Sequence, residues 1–210
     1  MLCMDLTRPG AIALPAGTEA VLRVLAGTDA ALGVREVARI AGVSPNRASQ
    51  VLAELVDHGV VLTELRGSGR LCRLNRAHLA ADALVALVEL RARLVEFLRA
   101  EVTSWERRPL HASLFGSAAR GDGGTGSDLD LLMVRPAGGT EADEEAWENQ
   151  LVDSGERILA ATGNRASWFV ASPDDLERAV RANEPVVTEW RRDGIHLTGQ
   201  RLAALLRRIA

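Results

Sequence analysis

The first third of the chain has helical patterns separated by turn residues, followed by strand patterns. Three stretches place apolar residues at helical spacing, and two shorter runs have the composition of strands. The helices are predicted over residues 18–27, 34–41 and 45–58, and the strands over 60–65 and 70–74. Arg66-Gly67-Ser68-Gly69 is the predicted hairpin turn, and Ser44 and Pro45 form a typical helix start. Residues 1–16 have no period and are predicted to form a loose arm.

The middle of the chain, residues 78–104, has the pattern of one long amphipathic helix. Its apolar residues form one stripe, and charged residues occupy the opposite face. Pro109 ends the helical segment, because the residue before a proline avoids the helical conformation. The helix joins the two parts of the chain, and its stripe either packs on its own domain or carries a homodimer interface.

The last part of the chain alternates strands with helices, which predicts a mixed sheet with flanking helices. An apolar strand leads into a short helix, a glycine-rich loop and a second strand that carries two aspartates. The predicted elements are strand 111–115, helix 117–120, the strand with Asp128 and Asp130, helix 141–161, strand 166–171, helix 173–182, helix 185–192, edge strand 194–197 and helix 199–209.

The composition is that of a soluble globular protein. Hydrophobic residues make up 47% and charged residues 25% of the chain, as is usual for such proteins. No apolar run approaches the length of about 18 residues that spans a membrane, and the N-terminus lacks a signal-peptide pattern. Cys3 and Cys72 form neither a disulfide framework nor a metal-binding spacing. We therefore expect a cytoplasmic protein with no membrane partner.

The charge distribution differs between the two parts of the chain. The formal net charge is −3, but residues 1–80 contain nine arginines against seven acidic residues, and the remainder contains 16 against 21. Every basic residue is an arginine, which can contact a phosphate through two hydrogen bonds. The first part is thus mildly basic, as a DNA-binding region would be, and the part with the aspartate pair is acidic.

The segments VREVARIAGVSPNRASQVLAELVDHGVV and LRGSGRLCRLN resemble a winged helix-turn-helix of the ArsR/MarR-like type, over residues 18–76. The resemblance implies binding to double-stranded DNA. The N-terminal residues of a recognition helix contact bases and phosphates, and a wing reaches the phosphate backbone. The predicted DNA-binding residues are Ser44, Asn46, Arg47, Ser49, Gln50, Arg66 and Arg70. The alternative is a module that has lost DNA binding or binds protein.

Asp128 and Asp130 lie two residues apart on a predicted strand, so their side chains project from one face. Neighbouring carboxylates repel each other unless a cation lies between them. Mg²⁺ is commonly held by one or two carboxylates together with substrate phosphates. The pair therefore predicts a magnesium site, in preference to a solvated turn.

A glycine-serine turn precedes the aspartate pair and has the features of a phosphate site. Gly116 has no side chain and allows a phosphate to approach the backbone. Ser117 starts a helix whose N–H groups and dipole favour a phosphate. Arg120 could pair with a β- or γ-phosphate, or it could instead clamp Asp122 or Asp128.

The stretch GSAARGD…SDLDLLMV resembles the signature of the polymerase β-type nucleotidyltransferase superfamily, and its minimal nucleotidyltransferase branch in particular. The resemblance covers about residues 110–172. It implies Mg²⁺-dependent transfer of a nucleoside monophosphate from a nucleoside triphosphate to a hydroxyl group, with Asp128 and Asp130 as catalytic and metal-binding residues. The acceptor could be a protein, as in toxin–antitoxin-type nucleotidyltransferases.

This chain departs from the pattern of the family, which normally adds a third carboxylate on a later strand. The candidate strand, 164–171, contains no acidic residue. Asp174 and Asp175 follow it, but they lie at the predicted start of the next helix, where a capping role accounts for both acids. Two hypotheses remain: an active nucleotidyltransferase, and a transcriptional regulator whose degraded transferase domain only senses a nucleotide.

The predicted fold class is α+β in two modules. A winged helix-turn-helix is expected over residues 1–77, a linker helix over 78–104, and a nucleotidyltransferase-like domain with a mixed sheet and flanking helices over 105–210.

Overall fold

The structure, a computed structural model, describes residues 3–66 and 69–209. The chain separates into two compact units. One unit comprises Arg8–Ala92, and the other comprises the chain from Arg93 onward together with the described residues up to Thr7. In the part of the chain that the structure describes, no helix is long and apolar enough to cross a membrane.

The first unit is a winged helix-turn-helix, which confirms the predicted order of three helices and a hairpin. Its three-stranded antiparallel sheet has the order β1-β3-β2. Its elements are a 3-10 turn at Pro9–Ile12, α1 (Ala16–Ala26), β1 (Leu32–Gly33), α2 (Val34–Ala41), α3 (Pro45–Asp57), β2 (Val61–Arg66), β3 (Gly69–Leu74) and α4 (Ala81–Val88). Arg66 pairs with Gly69, and the predicted turn residues 67 and 68 lie outside the described residues.

Local signals explain why α2 and α3 meet in a tight turn. Gly42 ends α2 with φ of 66°, a left-handed conformation that glycine adopts without steric cost. Ser44 caps α3, because its hydroxyl accepts a hydrogen bond from the backbone N–H of Arg47 at 3.2 Å. Helix α3 then buries Ala48 and Val51 in the core of this unit, which leaves its opposite face in solvent.

Where the sequence predicts one helix over 78–104, the structure contains two. Helix α4 begins only at Ala81, because the side chains of Asn75 and His78 accept hydrogen bonds from the backbone N–H groups two residues further on. Such local bonds compete with a helix start. Glu89 then interrupts the helical run, and α5 spans Leu90–Thr103. Neither a proline nor a glycine stands at the interruption.

The second unit contains a four-stranded mixed sheet with the order β6-β5-β4-β7. Strands β5 and β6 are parallel, whereas β4 is antiparallel to both β5 and β7. Its elements after α5 are β4 (His111–Phe115), α6 (Gly116–Arg120), β5 (Leu129–Val134), α7 (Glu141–Thr162), β6 (Ala166–Ala171), α8 (Pro173–Arg181), α9 (Pro185–Asp193), β7 (Ile195–Gly199) and α10 (Leu202–Ile209). The α+β fold with a mixed sheet and flanking helices is thereby confirmed.

Helices cover both faces of this sheet. The alternation along β5 sends Leu131 and Met133 into a core that they share with α5 and α7. Leu132 and Val134 enter a second core with α8, α9 and α10. Asp130 has the same parity as Leu132 and Val134, so its side chain leaves the sheet on the side of α9.

His111 is a buried polar residue on that second face, with 1% of its surface exposed. Its Nδ1 lies 2.7 Å from the carbonyl oxygen of Gln200, and its Nε2 lies 2.9 Å from the hydroxyl of Ser113. A carbonyl can only accept, so Nδ1 carries the proton and Nε2 accepts from Ser113. Burial lowers the pKa of the His111 imidazole to about 4, although the bond to Gln200 opposes the shift.

Acid should therefore destabilise the second unit through His111. A histidine that stays neutral when folded provides its full stability above its ordinary pKa of 6.5, and this stability falls as the pH drops from 6.5 towards 4. We expect a loss of about 2 kcal/mol between pH 7 and pH 4.5 from this group. All four tryptophans lie in this unit, so tryptophan fluorescence during urea unfolding reports its stability.

His111→Gln should reduce this pH dependence, whereas His58→Gln, at an exposed position of the other unit, should leave it unchanged. Equal pH dependence in His111→Gln and the unmodified chain would contradict the assignment.

Candidate active site and DNA-binding face

The two aspartates of the predicted magnesium site lie at the start of β5. Asp130 is half-buried and pairs with Phe115 across the strands. Asp128 is exposed and precedes the strand, which begins at Leu129, so the prediction that both aspartates belong to the strand is wrong for Asp128. Burial raises the pKa of the Asp130 carboxyl, and the negative charge of Asp128 raises it further, so the two side chains still interact electrostatically.

Gly116 lies directly against the Asp130 carboxylate. Its φ is 68°, and a β-carbon built at this position would overlap Oδ2 of Asp130. The missing side chain thus makes room for the carboxylate of the chain itself. The predicted role of Gly116 at a phosphate stays a prediction.

The loop that carries Asp128 is held by Asn164, a residue that the sequence analysis did not identify. Asn164 is 1% exposed, and its Nδ2 donates to the carbonyl oxygens of Ser127 at 3.0 Å and Met4 at 3.2 Å. The N–H of Leu129 donates to the carbonyl of Arg165 at 2.8 Å. Asp128 therefore stands between two anchored neighbours. No local motif marks Asn164, because its partners are distant in the sequence.

Ser117 and Arg120 lie on α6, which has only five residues. The carbonyl of Ser117 accepts hydrogen bonds from the N–H groups of Gly121 and Asp122, which folds the glycine-rich loop back over the helix. Arg120 donates to Asp122 at 3.0 Å and to Asp193 at 2.9 Å. Arg120 is thus held in two ion pairs. Asp122 is one of the two partners predicted for a structural clamp, and Asp193 is a partner that was not predicted. The role of Arg120 at a nucleotide stays a prediction.

The structure brings a third carboxylate, Glu189 of α9, towards the aspartate pair. The pKa of Asp130 is raised by burial first, and then by the negative charges of Asp128 and Glu189, while Arg120 opposes the shift. Ser167 occupies the register position beside Asp130 on β6, so the acid-free strand predicted from the sequence is present. Helical spacing places Glu189 on the same face as Asp193. This spacing was the only feature of the sequence that could have identified Glu189 as a residue of the site.

These carboxylates are not arranged as a complete metal cage. Within residues 3–66 and 69–209, no three histidine, cysteine, aspartate or glutamate side chains lie close enough together to hold a metal ion. A magnesium ion here would depend on two carboxylates and on oxygens supplied by a substrate.

The predicted DNA-binding residues of the first unit lie mainly in solvent. Asn46, Ser49 and Gln50 are exposed on α3. Arg47 is half-buried, because its side chain packs at Gly17, where an added β-carbon would lie 2.8 Å from Nε. The hydroxyl of Ser44 is engaged in capping α3.

The predicted wing residues lie on the hairpin of β2 and β3. Arg70 is exposed near the beginning of β3. Arg66 ends β2, and its side chain lies outside the described part. The DNA contacts of these residues stay predictions.

The fold and the site define a winged helix-turn-helix joined to a nucleotidyltransferase-type domain. Residues 19–64 match the family model of the IclR helix-turn-helix domain, and residues 91–176 match that of the nucleotidyltransferase domain. The chain therefore carries a helix-turn-helix domain followed by a nucleotidyltransferase domain. Among curated proteins, no relative matches this chain.

Several solved structures match parts of the chain. A MarR-family transcriptional regulator from Silicibacter pomeroyi matches 43% of it at 24% identity and a TM-score of 0.34, and this chain spans 66% of that protein, just under two thirds. A MarR-family protein from Mycobacterium tuberculosis matches 47% of this chain and 74% of its own, at 28% identity and a TM-score of 0.31. A candidate nucleotidyltransferase from Sulfolobus solfataricus matches 54% of this chain and 86% of its own, at 18% identity and a TM-score of 0.32. These TM-scores are too low to transfer a function.

Gly116→Ala should destabilise the second unit. A left-handed φ costs a residue with a β-carbon about 1–2 kcal/mol, and the added methyl group would displace the Asp130 carboxylate. We expect a lower thermal unfolding midpoint, measured by tryptophan fluorescence. Gly124→Ala is the matched control, because no atom lies within 4 Å of a β-carbon at that position.

The double variant Gly116→Ala with Asp130→Ala tests the steric explanation. Removing the carboxylate restores the space, so the two changes should cost less together than the sum of their separate effects. Strict additivity would show that the contact between Gly116 and Asp130 does not cause the loss.

Proposed function

We propose that this chain is a DNA-binding nucleotidyltransferase that uses Mg²⁺ to transfer a nucleoside monophosphate from a nucleoside triphosphate to a hydroxyl group. The observation that carries the proposal is the position of Asp128 and Asp130 at the start of β5, with the carboxylate of Asp130 directly against Gly116. The negative charge of Glu189 on α9 also acts on Asp130. The family match over residues 91–176 supports the same class of reaction.

The aspartates fit a magnesium ion through their chemistry. Burial raises the pKa of the Asp130 carboxyl, and the negative charges of Asp128 and Glu189 raise it further. A dication would relieve this repulsion. Asp128 is exposed and able to reach a substrate-bound ion. Bound Mg²⁺ would neutralise the triphosphate and stabilise the charge that develops in the transition state.

Glu189 supplies the group that the acid-free strand β6 lacks. It is exposed on α9, where an acceptor hydroxyl can approach it, and it is assigned the role of general base. The acceptor oxygen forms a bond to the α-phosphorus while the bond from this phosphorus to the bridging oxygen of the β-phosphate breaks. The hydroxyl proton passes to Glu189, and pyrophosphate leaves.

The second candidate function is a transcriptional regulator that binds a nucleotide without turnover. Serine at position 167 favours it, because β6 then contributes no acid beside Asp130 that could activate an acceptor hydroxyl.

Label transfer from an α-³²P-labelled nucleoside triphosphate in the presence of Mg²⁺ tests the enzyme proposal. The four nucleotides are each supplied with the full chain and with added protein and RNA acceptors. Glu189→Gln should reduce transfer by about 100-fold or more, as loss of a general base does, and Asp128→Asn with Asp130→Asn should abolish it. Glu184→Gln is the matched control, an exposed glutamate at the start of the same helix.

The results separate the two candidate functions. Undiminished transfer by Glu189→Gln would remove Glu189 from the mechanism. Absence of transfer by the unmodified chain, together with a rise of its melting temperature when Mg²⁺ and nucleotide are added, would establish the sensor.

We further propose that α3 and the hairpin of the first unit contact double-stranded DNA through Arg47 and Arg70. Each phosphate contact releases counterions, so the logarithm of the binding constant should fall linearly with the logarithm of the salt concentration. Replacing both arginines with alanine should reduce the magnitude of this slope by about 2. Fluorescence anisotropy with a duplex selected from a random pool measures the slope.

Arg181→Ala is the control for the DNA experiment, because Arg181 lies in the other unit and pairs with Glu177. An unchanged slope in the double variant would exclude Arg47 and Arg70 from the DNA interface.

A further inference from the structure

The second unit contains a cavity of about 470 Å³ that the proposed transfer reaction does not use. Strands β4 and β7 contribute residues to it, together with α9, α10 and the residues just before β7 and just before α10. None of Gly116, Ser117, Asp128 and Asp130 lines it. Its volume lies within the range of about 300–1,000 Å³ that is usual for small-molecule sites.

Three arginines give this cavity a positive charge. Arg191, Arg201 and Arg207 line it and are exposed. None of the three pairs with a carboxylate of any described residue, although many other arginines of the chain do. Three guanidinium groups without a carboxylate partner among the described residues surround one cavity. They favour an anionic ligand, because arginine binds carboxylates and phosphates through paired hydrogen bonds.

The remaining lining is mainly apolar but contains two unpartnered polar atoms. Trp190, Leu202 and Leu206 supply apolar surface. Nε1 of Trp190 and Nδ1 of His196 are buried and have no hydrogen-bond partner within the described residues. A buried polar atom without a partner costs free energy, and Nε1 of a tryptophan can only donate. The wall of the cavity thus contains a tryptophan donor that is unsatisfied among the described residues and lies behind the accessible surface.

His111 and Ser113 also line the cavity, and both are satisfied without a ligand. The imidazole donates to Gln200 and accepts from Ser113, and its burial keeps it neutral near pH 7. The ring of His196 stacks on that of His111, with centroids 5.6 Å apart. The ring of His196 therefore covers that of His111, which is 1% exposed. Burial lowers the pKa of His196 as well, so the positive charge of the cavity comes from the arginines.

We infer that this cavity binds a small organic anion, with an apolar body that packs against Trp190 and His196 and a carboxylate or phosphate group that pairs with the arginines. The binding is separate from nucleotide transfer, since the cavity shares no residue with the aspartate site.

Three probes of similar apolar size test the site by isothermal titration calorimetry with the full chain. They are 3-phenylpropionate, phenyl phosphate and the neutral 3-phenylpropanol. At least one anion should bind about 10-fold more tightly than the alcohol, because a charged hydrogen bond contributes about 1.5 kcal/mol or more. The anion with the higher affinity identifies the group that the cavity recognises. Equal affinity for the alcohol and both anions, or no binding of any probe, would overturn the inference.

Variants assign the binding to this cavity. Arg201→Gln and Arg191→Gln should each weaken binding of the tighter anion by about 10-fold, and Trp190→Phe should weaken it less while keeping the apolar surface. Arg178→Gln, an exposed position on α8, should leave the affinity unchanged. Circular dichroism confirms that each variant is folded. Unchanged affinity in a folded Arg191→Gln, Arg201→Gln double variant would overturn the inference.

Discussion

The contact between Gly116 and the Asp130 carboxylate determines the layout of the aspartate site. The register of β4 and β5 places Phe115 opposite Asp130, so the next residue after β4 has to pass beside the carboxylate. Only a residue without a β-carbon can do this with the left-handed φ that turns the chain into α6. A larger residue at position 116 would displace either the turn or the Asp130 carboxylate. The positions of Asp128 and Glu189 relative to Asp130 would then change.

Local signals in the sequence predict most of the fold. Ser44 and Pro45 mark the start of α3, and Ser172 with Asp175 form the predicted capping box of α8. In each of these caps the interacting residues lie within a few positions of one another, so a short stretch of sequence is enough to predict the cap. The strand with Asp130 is also predicted, because Leu131, Leu132, Met133 and Val134 form an uninterrupted apolar run.

Long-range contacts could not be predicted from the sequence, because they depend on how segments that are distant in the chain pack together. Asn164 anchors the loop before Asp128 through Met4 and Ser127, and nothing near it in the sequence announces this role. Glu189 approaches Asp130 only because α9 packs on the same side of the sheet. The expectation of a third carboxylate on a strand came from a family pattern, whereas in this chain the nearby acid lies on a helix.

Helix α9 contributes to both the aspartate site and the cavity. Glu189 and Asp193 lie four residues apart and share one helix face, where they interact with Asp130 and Arg120. Trp190 and Arg191 line the cavity. A small rotation of α9 would alter both sets of contacts at once, so the packing of Trp190 in the core keeps Glu189 in position.

The ion pairs of Arg120 connect nucleotide binding with the state of Asp193. A triphosphate that recruits Arg120 has to compete with Asp122 and with Asp193, whose side chain is only 5% exposed. With no other cation beside it, Asp193 would then be a buried carboxylate without a partner, which is unfavourable. Arg192 prevents this, because its guanidinium donates two further hydrogen bonds to Asp193 and helps to hold the pKa of that carboxyl below its usual range. If Arg120 turned towards a phosphate, as the proposed function requires, Arg192 would thus keep Asp193 paired.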